Sequence, residues 1–206
     1  MSNSFPDTGA IKHAPAMDGV LDIFLARWSP RSFADRPVST ADLKRIFEAA
    51  RWMSSSSNEQ PWRFIVGLKG TETFDKIVSS LGGFNQAWAP KAPVLLLGVT
   101  HTQFAKNGTP NYYALFDLGQ ATGAITLEAA ALGIATHQMG GFDKEIARKA
   151  LGIPEEFLIG SVMALGYAGD PAALPESYAK SETSPRSRKP VSEVAFSAWN
   201  EPLKLD

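Results

Sequence analysis

Ser54-Ser55-Ser56-Ser57-Asn58-Glu59-Gln60-Pro61-Trp62 is the stretch on which the fold turns. Its four serines and one asparagine carry short donors and acceptors suited to a loop that contacts a polar ligand. Pro61 presets one backbone angle and removes a donor, and Trp62 offers a large apolar anchor. Arg63-Phe64-Ile65-Val66-Gly67 follows at once and reads as the start of a strand. By composition alone the serines also suit a flexible linker. Their flanks favour the loop, because an amphipathic helix ends just before them and a strand begins just after.

Upstream, Ser39-Thr40-Ala41-Asp42 is a capping signal, and Leu43, Ile46, Phe47, Ala50 and Met53 share one face of the helix it opens. Further back, Asp18 is expected to cap a helix running to about Ala26. Downstream, Phe74, Ile77, Val78 and Leu81 have helical spacing over 71–81, and Gly82-Gly83 stops that helix. Phe84 to Pro90 reads as an irregular connector, and the Val-Leu-Leu-Leu run within 93–100 as a buried strand. The longest helix is expected over 111–132. Leu115, Leu118, Thr122, Ile125, Ala129 and Leu132 form its seam, while Gly119, Ala121, Gly123, Ala124, Ala130 and Ala131 keep its other faces small. That pattern suits a central helix, and also one that packs on its own copy in a dimer. Residues 134–139 lead into Gly140-Gly141-Phe142, Asp143 caps a short helix to Ala150, and 159–167 is another buried strand. Helices and strands alternate without the cadence of a parallel barrel, so a layered α+β domain is expected. Residues 1–17 form a polar arm before it. The extension 171–206 reads as structureless and too long to lie alone, which suggests that it wraps something.

Composition narrows the function classes. At 206 residues the chain can bury a substantial core as one domain or a tightly fused pair. A net charge of -1 disfavours a nucleic-acid interface, despite the basic run Arg186 to Lys189. With 0 cysteines there are no disulfides, thiolate metal sites or cysteine nucleophiles. No apolar run approaches membrane-spanning length and the first twenty residues lack a signal-peptide core, so a cytoplasmic location without membrane contact is expected. His13, His101 and His137 have no ligand spacing, and no metal site is expected. His137 reads as a structural hydrogen-bonding residue, with ligand contact near the Gly-Gly turn as the alternative. Glycine-rich nucleotide motifs, H-E-x-x-H and G-x-S-x-G are all missing. Two arginine clusters remain, Arg27-Trp28-Ser29-Pro30-Arg31 and Arg186-Ser187-Arg188. The first suits an extended anion-binding segment and equally a solvated basic loop. In the second, alternate residues of an extended segment face one side, so both guanidinium groups can meet one phosphate.

Taken in order, Arg27-x-Ser29-x-Arg31, Ser55-Ser56-x-Asn58-x-Gln60-Pro61-Trp62, Gly140-Gly141-Phe142 and Arg186-Ser187-Arg188 resemble the FMN-dependent nitroreductase family. The resemblance spans about 18–196. It implies a central, mostly antiparallel or mixed sheet flanked by helices, in an intertwined homodimer with FMN at the interface and a C-terminal tail wrapping the partner. By position, Arg27, Trp28, Ser29, Arg186 and Arg188 would surround the phosphate and ribityl oxygens, and Arg31 and Asn85 the pyrimidine edge. Ser54, Ser55, Ser56 and Asn58 would line the site from the other subunit. Gln138, Met139, Gly140 and Gly141 would approach flavin N5. The implied activity is ping-pong hydride transfer from NADH or NADPH through N5 to nitroaromatics, quinones or similar acceptors, with no catalytic side chain. Flavin fragmentation, dehalogenation, enoate reduction and FMN binding without turnover are the alternatives.

Four departures from the family pattern carry expectations of their own. Gly140 stands where glutamate is frequent, Trp88 replaces a lysine placed by the flavin, and Ser54 replaces a frequent proline. Residues 101–111 are too few for the helical insertion of larger members, so a more open pocket is expected, one that the N-terminal arm could roof. Removing Arg186 and Arg188 together is expected to release FMN and leave the fold largely intact.

Overall fold

In the computed structural model, which describes residues 8–15 and 19–205, four strands make one antiparallel sheet. They are β1 (Trp62–Leu68), β2 (Val94–His101), β3 (Ala135–Met139) and β4 (Phe157–Gly166), in the spatial order β1-β2-β4-β3. The helices along the chain are α1 (Thr8–Lys12), α2 (Asp22–Ala26), α3 (Thr40–Arg51), α4 (Glu72–Ser80), α5 (Gly83–Gln86), α6 (Ala114–Ala131), α7 (Lys144–Leu151) and α8 (Glu176–Glu182). The α+β layering expected from the alternation of patterns is present, and the sheet is antiparallel throughout. β2 and β4 are its centre, with Leu96 opposite Met163 and Val94 opposite Leu165. β2 and the second half of β4 are covered on both faces, which is why they read as apolar runs.

One face of the sheet buries Leu43 and Ile46 of α3, Trp62, and Leu118 and Ile125 of α6. The other buries Phe74 and Ile77 of α4, Phe33, Trp88 and Ala147 of α7. Local chemistry fixes the helix ends that matter. Ser39 Oγ accepts the Asp42 N–H at 3.0 Å, and Asp143 Oδ1 accepts those of Glu145 and Ile146, each at 2.9 Å. Gly152 closes α7 in the left-handed region, at φ 65°.

Several local expectations are corrected. α2 begins at Asp22 behind Leu21, which provides no side-chain cap, and Asp18 lies outside the described residues. α4 ends as Leu81 turns extended, and α5, opening at Gly83, runs into the stretch expected to be irregular. Residues 135–139 form β3, the edge of the sheet. The tail is structured: α8 is followed by a hairpin of β5 (Phe196–Ala198) and β6 (Glu201–Pro202). Residues 102–113 form no helix and close as a loop through a bridge between Gln103 and Pro110, as the short segment required.

α6 is apolar on almost every side, and the chain covers only part of it. Leu115 and Phe116 are 51% and 67% exposed, and a Cβ on Gly119 or Gly123 would meet no atom within 4 Å. In the tail, Val191, Val194 and Trp199 are also exposed, Trp199 to 90%. Among the described residues no helix is long and apolar enough to cross a membrane.

Candidate functional site

α2 gives way to extended backbone at Arg27, φ -63° and ψ 136°, and the chain then runs through Trp28, Ser29 and Pro30 to Arg31. This segment and the tail enclose a cavity of about 200 Å³, lined by Arg27, Trp28, Ser29, Arg31, Arg186 and Arg188, with Lys12, Ser181 and Glu182 completing it. Arg186 is already occupied. Its Nη1 donates to the Arg27 carbonyl at 2.6 Å, its Nε to that of Lys12 and its Nη2 to that of Leu25, so one guanidinium ties the tail to both α1 and α2. Arg188 is freer, donating to the carbonyl of Ser187 at 2.7 Å. The buried Nε atoms of Arg27 and Arg31 have no acceptor among the described residues. Burial, with the neighbouring guanidinium charges, lowers the pKa of both Arg27 and Arg186. Clustered cations with spare donors suit a phosphate monoester, whose oxygens accept forked, charge-assisted hydrogen bonds.

A second cavity, of about 380 Å³, is lined by Gly82, Gly83, Phe84, Asn85, His137, Gln138, Met139, Gly140 and Gly141. The end of β3 and the start of α5 are laced together here. Gly82 N–H donates to the Gly141 carbonyl at 3.0 Å, and Asn85 Nδ2 to the same oxygen at 2.9 Å. A Cβ on Gly141 would lie 3.0 Å from Asn85 Nδ2, whereas one on Gly140 would meet no atom within 4 Å. A flat ligand can therefore approach the Gly140 main chain closely. Gln138 Oε1 accepts from Ser161 Oγ at 3.3 Å, while Met139 is 3% exposed and belongs to the core.

His137 joins the two cavities. Its Nδ1 lies 2.9 Å from the Pro30 carbonyl, which can only accept, so Nδ1 carries a proton. Burial, reinforced by the charge of Arg31, holds its pKa down at about 4. The imidazole rests 4.6 Å from the ring of Trp88, which is fully buried and stacked at 6.2 Å on Phe33. Trp88, which stands where relatives have a lysine by the flavin, is thus a core residue behind His137. Arg31 makes the second junction, its guanidinium carbon 5.7 Å from the centroid of Phe84, a wall of the glycine cavity.

The family model described as Nitroreductase family matches residues 25–167 of the chain. The chain belongs to the nitroreductase family. A protein of Archaeoglobus fulgidus with the provisional name NADH dehydrogenase/NAD(P)H nitroreductase is 34% identical over 158 residues, covering 75% of this chain and 88% of that one. An NADH dehydrogenase of Thermus thermophilus is 28% identical over 177 residues, covering 71% and 85%. A crystal structure described as an oxidoreductase containing FMN has 36% identity and a TM-score of 0.82, covering 89% of this chain and 94% of that one.

In this nitroreductase-family chain the serine loop stands apart from both cavities. Ser54 Oγ donates to Gln120 Oε1 at 3.0 Å and the Ser56 N–H to Asp117 Oδ2 at 3.1 Å, which pins the loop beside the N-terminal half of α6. Ser55 Oγ accepts the Gln60 N–H at 2.9 Å, and Asn58 adopts a left-handed φ of 56°. The cleft beside Arg27 and Trp28 instead reaches Ala130 and Ala131, at the far end of α6. From Asp117 to Ala130 the helix rises roughly 20 Å. One chain therefore brings together Arg27, Trp28, Ser29, Arg31, Arg186 and Arg188, and separately Asn85, Gln138, Met139, Gly140 and Gly141. It does not bring Ser54, Ser55, Ser56 and Asn58 to them. Lys12 and Glu182 line the arginine cavity without any sequence signal to mark them, and both lie outside the family match.

Proposed function

We propose that the protein is an FMN-dependent oxidoreductase that takes electrons from NADH or NADPH and passes them to nitroaromatics, quinones or similar electron-poor acceptors. The observation that carries this reading is the pair of cavities linked through Arg31–Phe84 and His137–Pro30, one lined by cations and the other a glycine-floored polar surface. FMN has the complementary form, a phosphate monoester joined to a flat polar ring, and when bound it supplies hydride acceptance and donation. The unpartnered Nε atoms of Arg27 and Arg31 and the open space over Gly140 are the features that fit it.

Arg27, Ser29 and Arg188 would contact the phosphate, while Arg186 holds α1, α2 and the tail in register around it. Arg31 and Asn85 would meet the polar edge of the ring, where a fixed cation stabilises negative charge arising on reduction. Gly140 and Gly141 let the main chain come close to the ring. His137 is the one titratable side chain among the described residues lining the glycine cavity, and it is neutral at pH 7. Protons consumed in turnover would therefore come from water. Ser54, Ser55, Ser56 and Asn58 would arrive from a second copy packed on the exposed apolar face of α6, and residues 171–206 would complete the site and wrap that copy. Leu115 and Phe116 leave an apolar face of α6 exposed that a second copy would cover, which supports the homodimer.

The test is an absorption spectrum of the purified protein, repeated after anaerobic addition of NADH and of NADPH. Flavin bands that bleach with either donor are expected. A colourless protein that fails to take up added FMN would overturn the reading.

A further inference from the structure

Lys12 is 7% exposed, an unusual burial for a lysine. Its Nζ donates to the Ser181 carbonyl at 2.6 Å and lies 5.2 Å from the centroid of the Trp28 ring, and its own carbonyl accepts from Arg186 Nε. The tail thus grips the last residue of α1 by both main chain and side chain. Beside it Glu182, 1% exposed, accepts the Arg31 N–H at 3.0 Å and stands 3.6 Å from Arg31 Nη1. Lys12, Arg27, Arg31, Arg186 and Arg188 line a cavity of about 200 Å³ with Glu182 as the single carboxylate among its lining residues. That imbalance is costly in a partly desolvated space unless an anion completes it. An ammonium carries three N–H donors, and Ser181 takes one. Burial, then the charges of Arg186 and Arg31, lower the Lys12 pKa against the raising effect of Glu182.

We propose that Lys12 is an anion-binding residue of this cavity, meeting a phosphate monoester together with Arg27, Ser29 and Arg188, and that α1 is a strap which phosphate binding holds closed. The identity of that monoester as the phosphate of FMN rests on the function proposed above. The position of the strap does not, because the grip of Arg186 and Ser181 on Lys12 involves no ligand. The reach of this site beyond the family match also follows: its closing residue comes from the arm before residue 25 and its counterweight, Glu182, from the tail after 167.

The experiment compares wild type, Lys12→Met and Lys12→Arg for affinity toward FMN and toward riboflavin, which lacks the phosphate, by quenching of flavin fluorescence. Lys12→Met should weaken FMN roughly ten-fold or more and leave riboflavin unchanged, and Lys12→Arg should recover most of the loss. Equal losses for both flavins, or no loss for either, would overturn the assignment. Wild type that binds neither flavin would defeat the FMN proposal alone. The thermal shift with inorganic phosphate then decides: stabilisation of wild type and not of Lys12→Met supports the site, and equal stabilisation of both overturns it. Amide exchange over residues 9–12 of wild type, which needs no variant to fold, should slow with phosphate. Unchanged exchange would remove the strap.

Discussion

His137 Nδ1 donates to the Pro30 carbonyl at 2.9 Å, so the edge strand of the sheet holds the arginine-bearing segment at the residue between Ser29 and Arg31. The ring stays neutral because its burial beside Arg31 outweighs this hydrogen bond, which by itself favours the charged form. In the unfolded chain His137 takes up a proton below about 6.5, while the folded protein resists until about 4. The contribution is therefore complete above the ordinary histidine range and is lost as pH falls from about 6.5 towards 4. Between pH 7 and pH 5 that amounts to about 2 kcal/mol of folding stability. Urea unfolding of wild type should show this decline, and His137→Gln, which keeps a donor for Pro30, should show a flatter profile. Parallel profiles for the two proteins would remove His137 as the cause.

Arg186 and Arg188 differ more than their spacing suggests. Three main-chain carbonyls from α1, α2 and the segment after it accept from Arg186, and Arg186→Ala leaves them unpaired. A loss of roughly 2–3 kcal/mol is expected, together with the release of α1. Arg188→Ala, at an exposed position, should change stability by less than about 0.5 kcal/mol and weaken phosphate binding. The double variant is thus expected to be destabilised as well as depleted of ligand, which revises the expectation of an intact fold. Equal melting temperatures for the two single variants would contradict the division of labour.

What the sequence discloses follows the range of the interaction. α3 was legible because Ser39 and Asp42 cap it locally and its apolar residues repeat every turn. β2 and the second half of β4 were legible because burial on both faces demands apolar runs. α8 was not, since its contribution to the core is small and specific: Tyr178 packs edge-on against Phe84 at 4.8 Å and its hydroxyl donates to the Phe84 carbonyl. β3 carries Thr136, His137 and Gln138 between Ala135 and Met139, and its pairing with β4 defines it. At the site, charge and spacing disclosed the arginines and the Gly-Gly turn. Glu182 was silent because its partner, Arg31, is distant in sequence and no local pattern marks a carboxylate for burial. The carbonyls that occupy Arg186 were hidden for the same reason.

Gly67 supplies a stability test independent of any ligand. A Cβ there would lie 2.5 Å from Phe74 Cα and 2.7 Å from Phe74 N, main-chain atoms that no rotamer change can move. Gly67→Ala should push α4 away from β1 and cost about 1–3 kcal/mol. A denaturation midpoint equal to that of wild type would show that the two elements are less closely apposed.

The paired glycines after β3 should behave oppositely. Gly140→Ala places a methyl group in open space and should leave stability nearly unchanged, while narrowing the approach to the ring-binding surface. Gly141→Ala crowds Asn85 Nδ2 at 3.0 Å and should loosen the hydrogen bond that joins α5 to the turn. A melting temperature lowered by Gly141→Ala alone, with flavin affinity lowered by both, is the expected pattern. Flavin affinity untouched by Gly140→Ala would place the ring elsewhere.

The exposed face of α6 makes the strongest demand on a second copy. Phe116 is 67% exposed on a helix whose neighbouring glycines leave room for a close approach, and the serine loop beside it lies roughly 20 Å along the helix from the arginine cleft. Packing two copies through this face would cover the apolar surface and carry Ser54, Ser55, Ser56 and Asn58 towards the other chain's cavities. Phe116→Glu buries an unpaired charge in that contact and should shift sedimentation from dimer to monomer. Because the loop would then be lost from the site, flavin should dissociate with the same concentration dependence as the dimer. A Phe116→Glu protein that stays dimeric would relocate the interface, and one that is monomeric yet binds flavin as tightly as wild type would show that a single chain completes the site.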